Sequence, residues 1–179
     1  MHRLVAHPGE TPDALLVDAA VTRGSGGRWH ARYMVSGDLS DLDLPRPAPA
    51  LRRDGLWRDT CFELFAMAPD GSYLECNFAP SGAWAAYRFE GYRAGMRDAE
   101  AIEPVAIALE HAAGGSLLID ARFSIGWLAE FPLLRVGLSA VLARRDGSRS
   151  YRALAHPPGK PDFHHRDCFA LEVTAPRRA

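Results

Sequence analysis

Two stretches of the chain concentrate side chains that could do chemistry. The first runs Leu56-Trp57-Arg58-Asp59-Thr60-Cys61-Phe62-Glu63-Leu64-Phe65. Alternation places Phe62 and Leu64 on one face of a strand and Cys61, Glu63 and Phe65 on the other. A carboxylate in mid-strand between aromatics is costly unless it is solvated or paired. On the next strand-like run, Leu74, Cys76 and Phe78 look inward and Tyr73, Glu75 and Asn77 outward. On a third, Trp84, Ala86, Arg88 and Glu90 share one face. One sheet is then expected to present Glu63, Glu75, Asn77 and Arg88 on a surface flanked by Trp57 and Trp84. Aromatic plates beside carboxylates and an amide suit a polyhydroxylated ligand, because rings stack on C–H faces while the polar groups satisfy hydroxyls at fixed angles. The same residues also fit a solvated outer face with cross-strand Glu–Arg pairs. Two carboxyls on adjacent strands match as well the acid and base of glycoside hydrolysis.

The second stretch runs His156-Pro157-Pro158-Gly159-Lys160-Pro161-Asp162-Phe163-His164-His165-Arg166-Asp167. Prolines stiffen it and push the residues before them toward extended shapes. A rigid loop carrying three histidines, an aromatic and a lysine reads as the rim of a site, with His156, Phe163 and His164 its members. His156 and His164 are also candidate ligands for a metal or a haem. The other reading is that these imidazoles bond to loop backbone. No G-x-S-x-G elbow, phosphate-binding G-x-x-x-x-G-K-[ST] loop or H-E-x-x-H motif occurs.

Short strands must carry these residues. Strand-like runs are read at 14–21, 28–35, 60–67, 73–78, 84–90, 105–111, 117–125, 134–143, 151–155 and 169–173. Turn signals separate most of them: Ala68-Pro69-Asp70-Gly71, Ala79-Pro80-Ser81-Gly82, Gly114-Gly115 and Arg145-Asp146-Gly147-Ser148. Two runs alternate cleanly. Trp29, Ala31, Tyr33 and Val35 line one face, as do Leu117, Ile119, Ala121, Phe123 and Ile125. The proline-rich segment 42–53 reads as an irregular crossing, 91–103 as a loop or short helix, and 127–131 as one helical turn. About ten short strands predict an all-β, jelly-roll-like antiparallel β-sandwich forming one domain over 1–179.

Composition narrows the function. The chain of 179 residues carries 21 basic and 22 acidic side chains, a formal charge of -1. That balance leaves no electrostatic footprint for nucleic acid or an anionic membrane, and the tail Arg177-Arg178 reads as a solvated end. No transmembrane-length apolar run or signal peptide is read. Three cysteines without a C-x-x-C pair, Cys61, Cys76 and Cys168, fit buried reduced thiols and a cytoplasmic location.

With both stretches in view, the chain resembles the DOMON-like superfamily, nearest to bacterial free-standing members, and is similar to family-9 carbohydrate-binding modules. Those modules carry Trp, Asp and Glu on one strand, matched by Trp57, Asp59 and Glu63. A Tyr-x-Glu-x-Asn-Pro-x-Gly-like segment follows on the next strand, matched within Asp70–Gly82. The run Pro161–Phe169 resembles the group's Asp-Phe-His…Phe finish. The likeness spans roughly residues 10 to 175, with its specific motifs in 56–93 and 151–171. It implies a jelly-roll sandwich with a ligand on one sheet or its edge loops. Trp57 would be the stacking platform and Glu63 a hydroxyl acceptor. Relatives bind sugars or haem, and some carry calcium. Family-9 modules set a second tryptophan opposite the first; Phe163 is the nearest candidate here. The methionines Met34, Met67 and Met96 match no haem-ligating context. The expected function is non-catalytic binding of a carbohydrate or sugar-containing metabolite, the alternatives being haem binding or glycoside turnover.

Overall fold

The computed structural model describes residues 1–10, 14–99, 102–112 and 115–176, and twelve strands among them. They are β1 (His2–Ala6), β2 (Leu16–Arg23), β3 (Arg28–Ser36), β4 (Cys61–Met67), β5 (Tyr73–Phe78), β6 (Trp84–Phe89), β7 (Arg97–Asp98), β8 (Ile102–Ala112), β9 (Ser116–Ile125), β10 (Leu133–Ala143), β11 (Arg149–Ala153) and β12 (Leu171–Thr174). The ladders between them are antiparallel. Ten of the twelve follow the alternating runs. The other two, β1 and the two-residue β7, lack an alternating apolar signature. Over the described residues 91–99 the chain makes a tight turn at Gly91–Ala94 and then β7, with no helix. Trp127–Glu130 is the expected helical turn, of 3-10 type. Gly114 and the tail Arg177-Arg178 lie outside the described residues. Among the described residues no helix is long and apolar enough to cross a membrane.

The strands form two faces of a sandwich. One is β1-β2-β3-β9-β8; the other is β7-β6-β5-β4-β10-β11-β1. β1 belongs to both, pairing His2–Leu4 with β2 and Val5–Ala6 with β11. β12 runs beside Leu133–Val136 of β10, and β11 beside Ser139–Ala143. Between these partners sits Gly137, where a Cβ would come within 3.0 Å of the Cys168 carbonyl. A glycine here gives the returning chain room, since a Cβ would make the Cys168 carbonyl give way by a few tenths of an ångström.

The principal core fills the space between the sheets. Trp29, Ala31, Tyr33 and Val35 of β3 meet Leu117, Ile119, Ala121 and Phe123 of β9, and all face Phe62, Leu64, Leu74 and Phe78 from the second sheet. The period-2 pattern decides this, since every second side chain must leave water together. Full burial of each large side chain stabilises the fold by about 1.5–3 kcal/mol. Tyr33 brings a polar tip into this layer, and its hydroxyl donates to the Glu63 carbonyl at 2.6 Å.

A second apolar layer lies on the far side of the second sheet. Phe65, Tyr73, Tyr87, Phe89 and Val141 pack there under Leu56, Phe163 and Phe169. The result corrects the expectation of a solvated outer face: every residue of β5, and all of β4 but its last, is buried. The cover is the chain between β11 and β12, which packs on the sheet through Phe163 and Phe169, together with the 3-10 turn Leu56–Arg58. The segment 42–53 lies along the strands rather than crossing freely. Leu42 bridges to Arg144 and Arg52 to Trp84, while the Trp84 amide donates to the Leu51 carbonyl. Gly82 permits this contact. Its φ is 93°, and a Cβ there would stand 2.9 Å from the Ala48 carbonyl.

Candidate functional site

Register builds the floor of the site. Glu63 of β4 pairs with Asn77 of β5, and Phe65 with Glu75, so the two glutamates are diagonal neighbours on one face. Glu75 in turn pairs with Tyr87 of β6, and Tyr73 with Phe89. Glu63 is 3% and Glu75 5% exposed, which leaves each carboxyl dependent on protein partners. Glu63 Oε2 accepts from the Ser139 hydroxyl at 3.2 Å. Glu75 Oε1 accepts from the Asn77 amide at 2.7 Å, and the Asn77 carbonyl oxygen accepts from the Cys61 thiol at 3.4 Å. The second oxygen of each carboxyl has no hydrogen bond among the described residues; Glu75 Oε2 stands 3.7 Å from His164 Nε2.

The loop after β11 supplies one wall. His164 packs edge-on against Phe65 and Phe89, each 5.2 Å between ring centres. Its Nδ1 lies 2.8 Å from the Tyr73 hydroxyl, which accepts the Arg93 backbone N–H at 3.1 Å. The phenol can accept that N–H and donate its own hydrogen to Nδ1, an arrangement that leaves the imidazole proton on Nε2, the side facing Glu75. Arg93 adopts φ 52° in the Gly91–Ala94 turn, a conformation unusual for a residue with a Cβ. Its guanidinium donates to Asp162 at 2.8 Å, and Asp162 also accepts from the Tyr92 hydroxyl and the His164 amide.

Trp57 forms the opposite rim. It is 38% exposed, yet its ring meets Tyr87 edge-on at 6.0 Å and lies under the Arg58 guanidinium at 5.9 Å. Together these elements enclose a cleft of about 380 Å³, lined by Glu63, Glu75, Phe89, Val141 and Trp57 and by Arg93, Met96, Tyr151, Pro161, Phe163 and His164. The volume falls within the range of small-molecule clefts, about 300–1,000 Å³.

Burial dominates the electrostatics. It lifts Glu75 to about 6, against hydrogen bonding from Asn77. Burial and then the Glu75 charge hold Glu63 well above the usual carboxylate range. Burial, aided by the Arg93 charge, lowers His164 to about 4, which makes it a neutral imidazole at pH 7. Both carboxyls of the floor thus hold their protons to higher pH than an ordinary glutamate does, because burial disfavours their charged forms.

The structure brings together Trp57, Glu63, Glu75, Phe163 and His164. Asn77 is fully buried beneath them and positions Glu75. Trp84 and Arg88 are elsewhere, contrary to the expected shared surface. The pairings Phe78 with Trp84 and Leu74 with Arg88 place both on the inter-sheet side. Arg88 lies over the Trp127 ring at 4.1 Å, and Trp84 packs on the principal core. His156 stands beside the cleft lining, 6.2 Å from Phe163, with its Nε2 donating to the Val5 carbonyl at 3.0 Å. Sequence reasoning missed Arg93, Phe89 and Tyr151. Phe89 follows from pairing β6 to β5, whereas Arg93 sits in a turn whose pattern carries no signal.

The two histidines considered for haem are engaged within the protein. His156 spends Nε2 on backbone, and His164 turns one nitrogen to Tyr73 and the other to Glu75. Among the described residues no three His, Cys, Asp or Glu side chains gather as a metal would need.

Fold and cleft together define an all-β, jelly-roll-like sandwich with a ligand-sized cleft on the covered outer face of one sheet. Solved proteins share this fold. A candidate carbohydrate-binding protein from Bacteroides uniformis superposes with a TM-score of 0.67 at 13% identity, covering 98% of this chain and 85% of its own. A family-9 carbohydrate-binding module from Caldicellulosiruptor kristjanssonii in complex with glucose gives 0.53 at 10% identity, over 94% of this chain and 81% of its own. The cellotriose complex of a family-9 module from the same organism gives 0.54 at 10% identity, over 94% and 79%. No family model matches the chain, and no curated protein matches it in sequence.

Proposed function

We propose that this protein is a non-catalytic carbohydrate-binding module, with the ligand seated between the Trp57 ring and the Glu63–Glu75 floor. The observation that carries the reading is the pairing of a braced, partly exposed indole with two buried carboxyls, each keeping one oxygen free of hydrogen bonds. A sugar ring has an apolar C–H face for the indole and equatorial hydroxyls for the carboxyls. Phe163 lines the same cleft and is the candidate for a second aromatic plate, and His164 Nε2–H would add a donor. The glucose-bound and cellotriose-bound modules that share the fold support a saccharide over other polar ligands.

The test is calorimetric titration of a panel of mono- and disaccharides, neutral and amine-bearing, into the wild-type protein and Trp57→Ala. At least one saccharide binds the wild type, and Trp57→Ala abolishes that binding with an unchanged melting temperature. Absence of binding across the panel, or full affinity in Trp57→Ala, overturns the assignment. Incubation with glycosides releases no sugar; release that disappears in Glu63→Gln would make the protein an enzyme.

A further inference from the structure

The chain compensates its other buried acid. Asp120, on β9 and 5% exposed, is met by Arg32 at 2.7 Å, His30 at 2.8 Å and Arg122 at 2.9 Å. Glu63 and Glu75, equally buried, have no arginine or lysine partner among the described residues. The one arginine lining their cleft, Arg93, is committed to Asp162 at 2.8 Å, a carboxylate that already accepts from Tyr92. Nor does His164 serve, because it packs among Phe65, Phe89 and Tyr73, 3.7 Å from the Glu75 carboxyl, where burial and the Arg93 charge favour its neutral form. Two carboxyls with one oxygen each free of hydrogen bonds therefore line a cavity whose other lining residues include the aromatics Trp57, Phe89, Tyr151 and Phe163, a residue type that attracts cations.

We infer that the saccharide carries a protonated amine, whose ammonium sits between Glu63 Oε1 and Glu75 Oε2. The inference rests on the sugar-binding reading and narrows it to amino sugars. An ammonium supplies three donors and a full charge, matching two acceptor oxygens that no arginine or lysine of the described residues contacts, the Arg93 charge acting on both carboxyls only from a distance. On binding, a proton held by the carboxyl pair passes to solvent as the ammonium takes its place, so the floor with its ligand carries the same net charge as the empty floor. A neutral sugar hydroxyl can meet the same oxygens but brings no charge, and an acetylated amine keeps a single N–H donor and is uncharged as well.

The experiment titrates the full chain at pH 7 with matched sets: glucose, glucosamine and N-acetylglucosamine, then the corresponding galactose and mannose sets. In at least one set the free amine binds at least tenfold more tightly than both uncharged members. That preference falls below threefold in Glu75→Gln. In the wild type the heat of amine binding changes with the ionisation enthalpy of the buffer, reporting proton release, and that of the neutral sugar does not. This readout decides the matter should the variant fail to fold. Equal affinity within every set, or a preference that survives Glu75→Gln, overturns the ammonium site and leaves the saccharide reading standing. No binding by any member overturns both.

Discussion

The Tyr33 hydroxyl on β3 donates to the backbone carbonyl of Glu63 on β4, so one hydrogen bond of 2.6 Å joins the centre of the core to the floor of the cleft. Tyr33 is fully buried, and burial holds its phenol in the protonated, donating form. Tyr33→Phe should lower unfolding free energy by about 1 kcal/mol, read from urea denaturation. It should also weaken saccharide binding, because the backbone that aims Glu63 loses its anchor. Loss of stability with unaltered affinity would separate the core from the site.

The Tyr73 hydroxyl mediates between Arg93 N–H and His164 Nδ1. Tyr73→Phe leaves both partners unpaired in a half-buried setting, at a cost of about 1–3 kcal/mol. With no proton delivered to Nδ1, the imidazole is free to take the other tautomer. A ¹⁵N spectrum of the His164 ring should move from the Nε2–H form toward a mixture. An unchanged spectrum would mean that another group sets the tautomer.

Buried acids and a buried base push stability in opposite directions with pH. Glu75 holds its proton up to about 6, against 4.5 for an ordinary glutamate, so the folded state binds the extra proton between those values. Stability from this group is greatest below pH 4.5 and falls as pH rises to 6; Glu63 adds in the same sense. His164 stays neutral down to about 4 while an unfolded histidine protonates near 6.5, so its contribution falls as pH drops through that window. Urea melts at pH 4.5 and 6.5 should resolve the two. His164→Gln gains more stability on acidification than the wild type, and Glu75→Gln gains less, each by about 2 kcal/mol. Identical pH profiles in all three proteins would remove both groups from the account.

Gly137→Ala should act at a distance from the cleft. The added methyl meets the Cys168 carbonyl, and relief requires the covering chain to lift from β10. A destabilisation of about 1–3 kcal/mol is expected, with weakened saccharide binding because Phe163 and His164 sit on the chain that moves. A wild-type melting curve would show that the covering chain adapts without cost.

The three thiols Cys61, Cys76 and Cys168 are free and buried, and burial pushes Cys168 up to about 12. A thiol reagent at pH 8 should label none of them in the native protein and all three in urea. Rapid native labelling of Cys168 would reveal opening of the covering chain.

Alternation made the principal core legible from the chain. Trp29–Val35 and Leu117–Ile125 could pack only one way, and Phe62 with Leu64 followed. The second apolar layer was not legible, because Phe163 and Phe169 are far along the chain from β4 and their docking is a tertiary event. Trp84 and Arg88 show a different failure. Their polarity suggested the outward face, but Phe78 faces inward and the Ala79–Gly82 turn pairs it with Trp84. Register therefore outranks residue polarity when the two conflict. Glu63 stood out in the chain as a carboxylate in mid-strand among aromatics, while its depth and that of Glu75 depended on a cover that local pattern does not encode. Arg93 gave no signal, since its role comes from a left-handed turn.

The split allegiance of β1 has a consequence for biogenesis. Its first half finds β2 soon after both leave the ribosome, but Val5 must wait for Ala153 before its remaining backbone groups are paired. Throughout synthesis of the intervening chain, the seam between the two sheets stays open, with strand edges able to recruit foreign strands. Closure of that seam is then the step at which a nascent chain stops being prone to self-association, and a chaperone that shields unpaired edges would act before it.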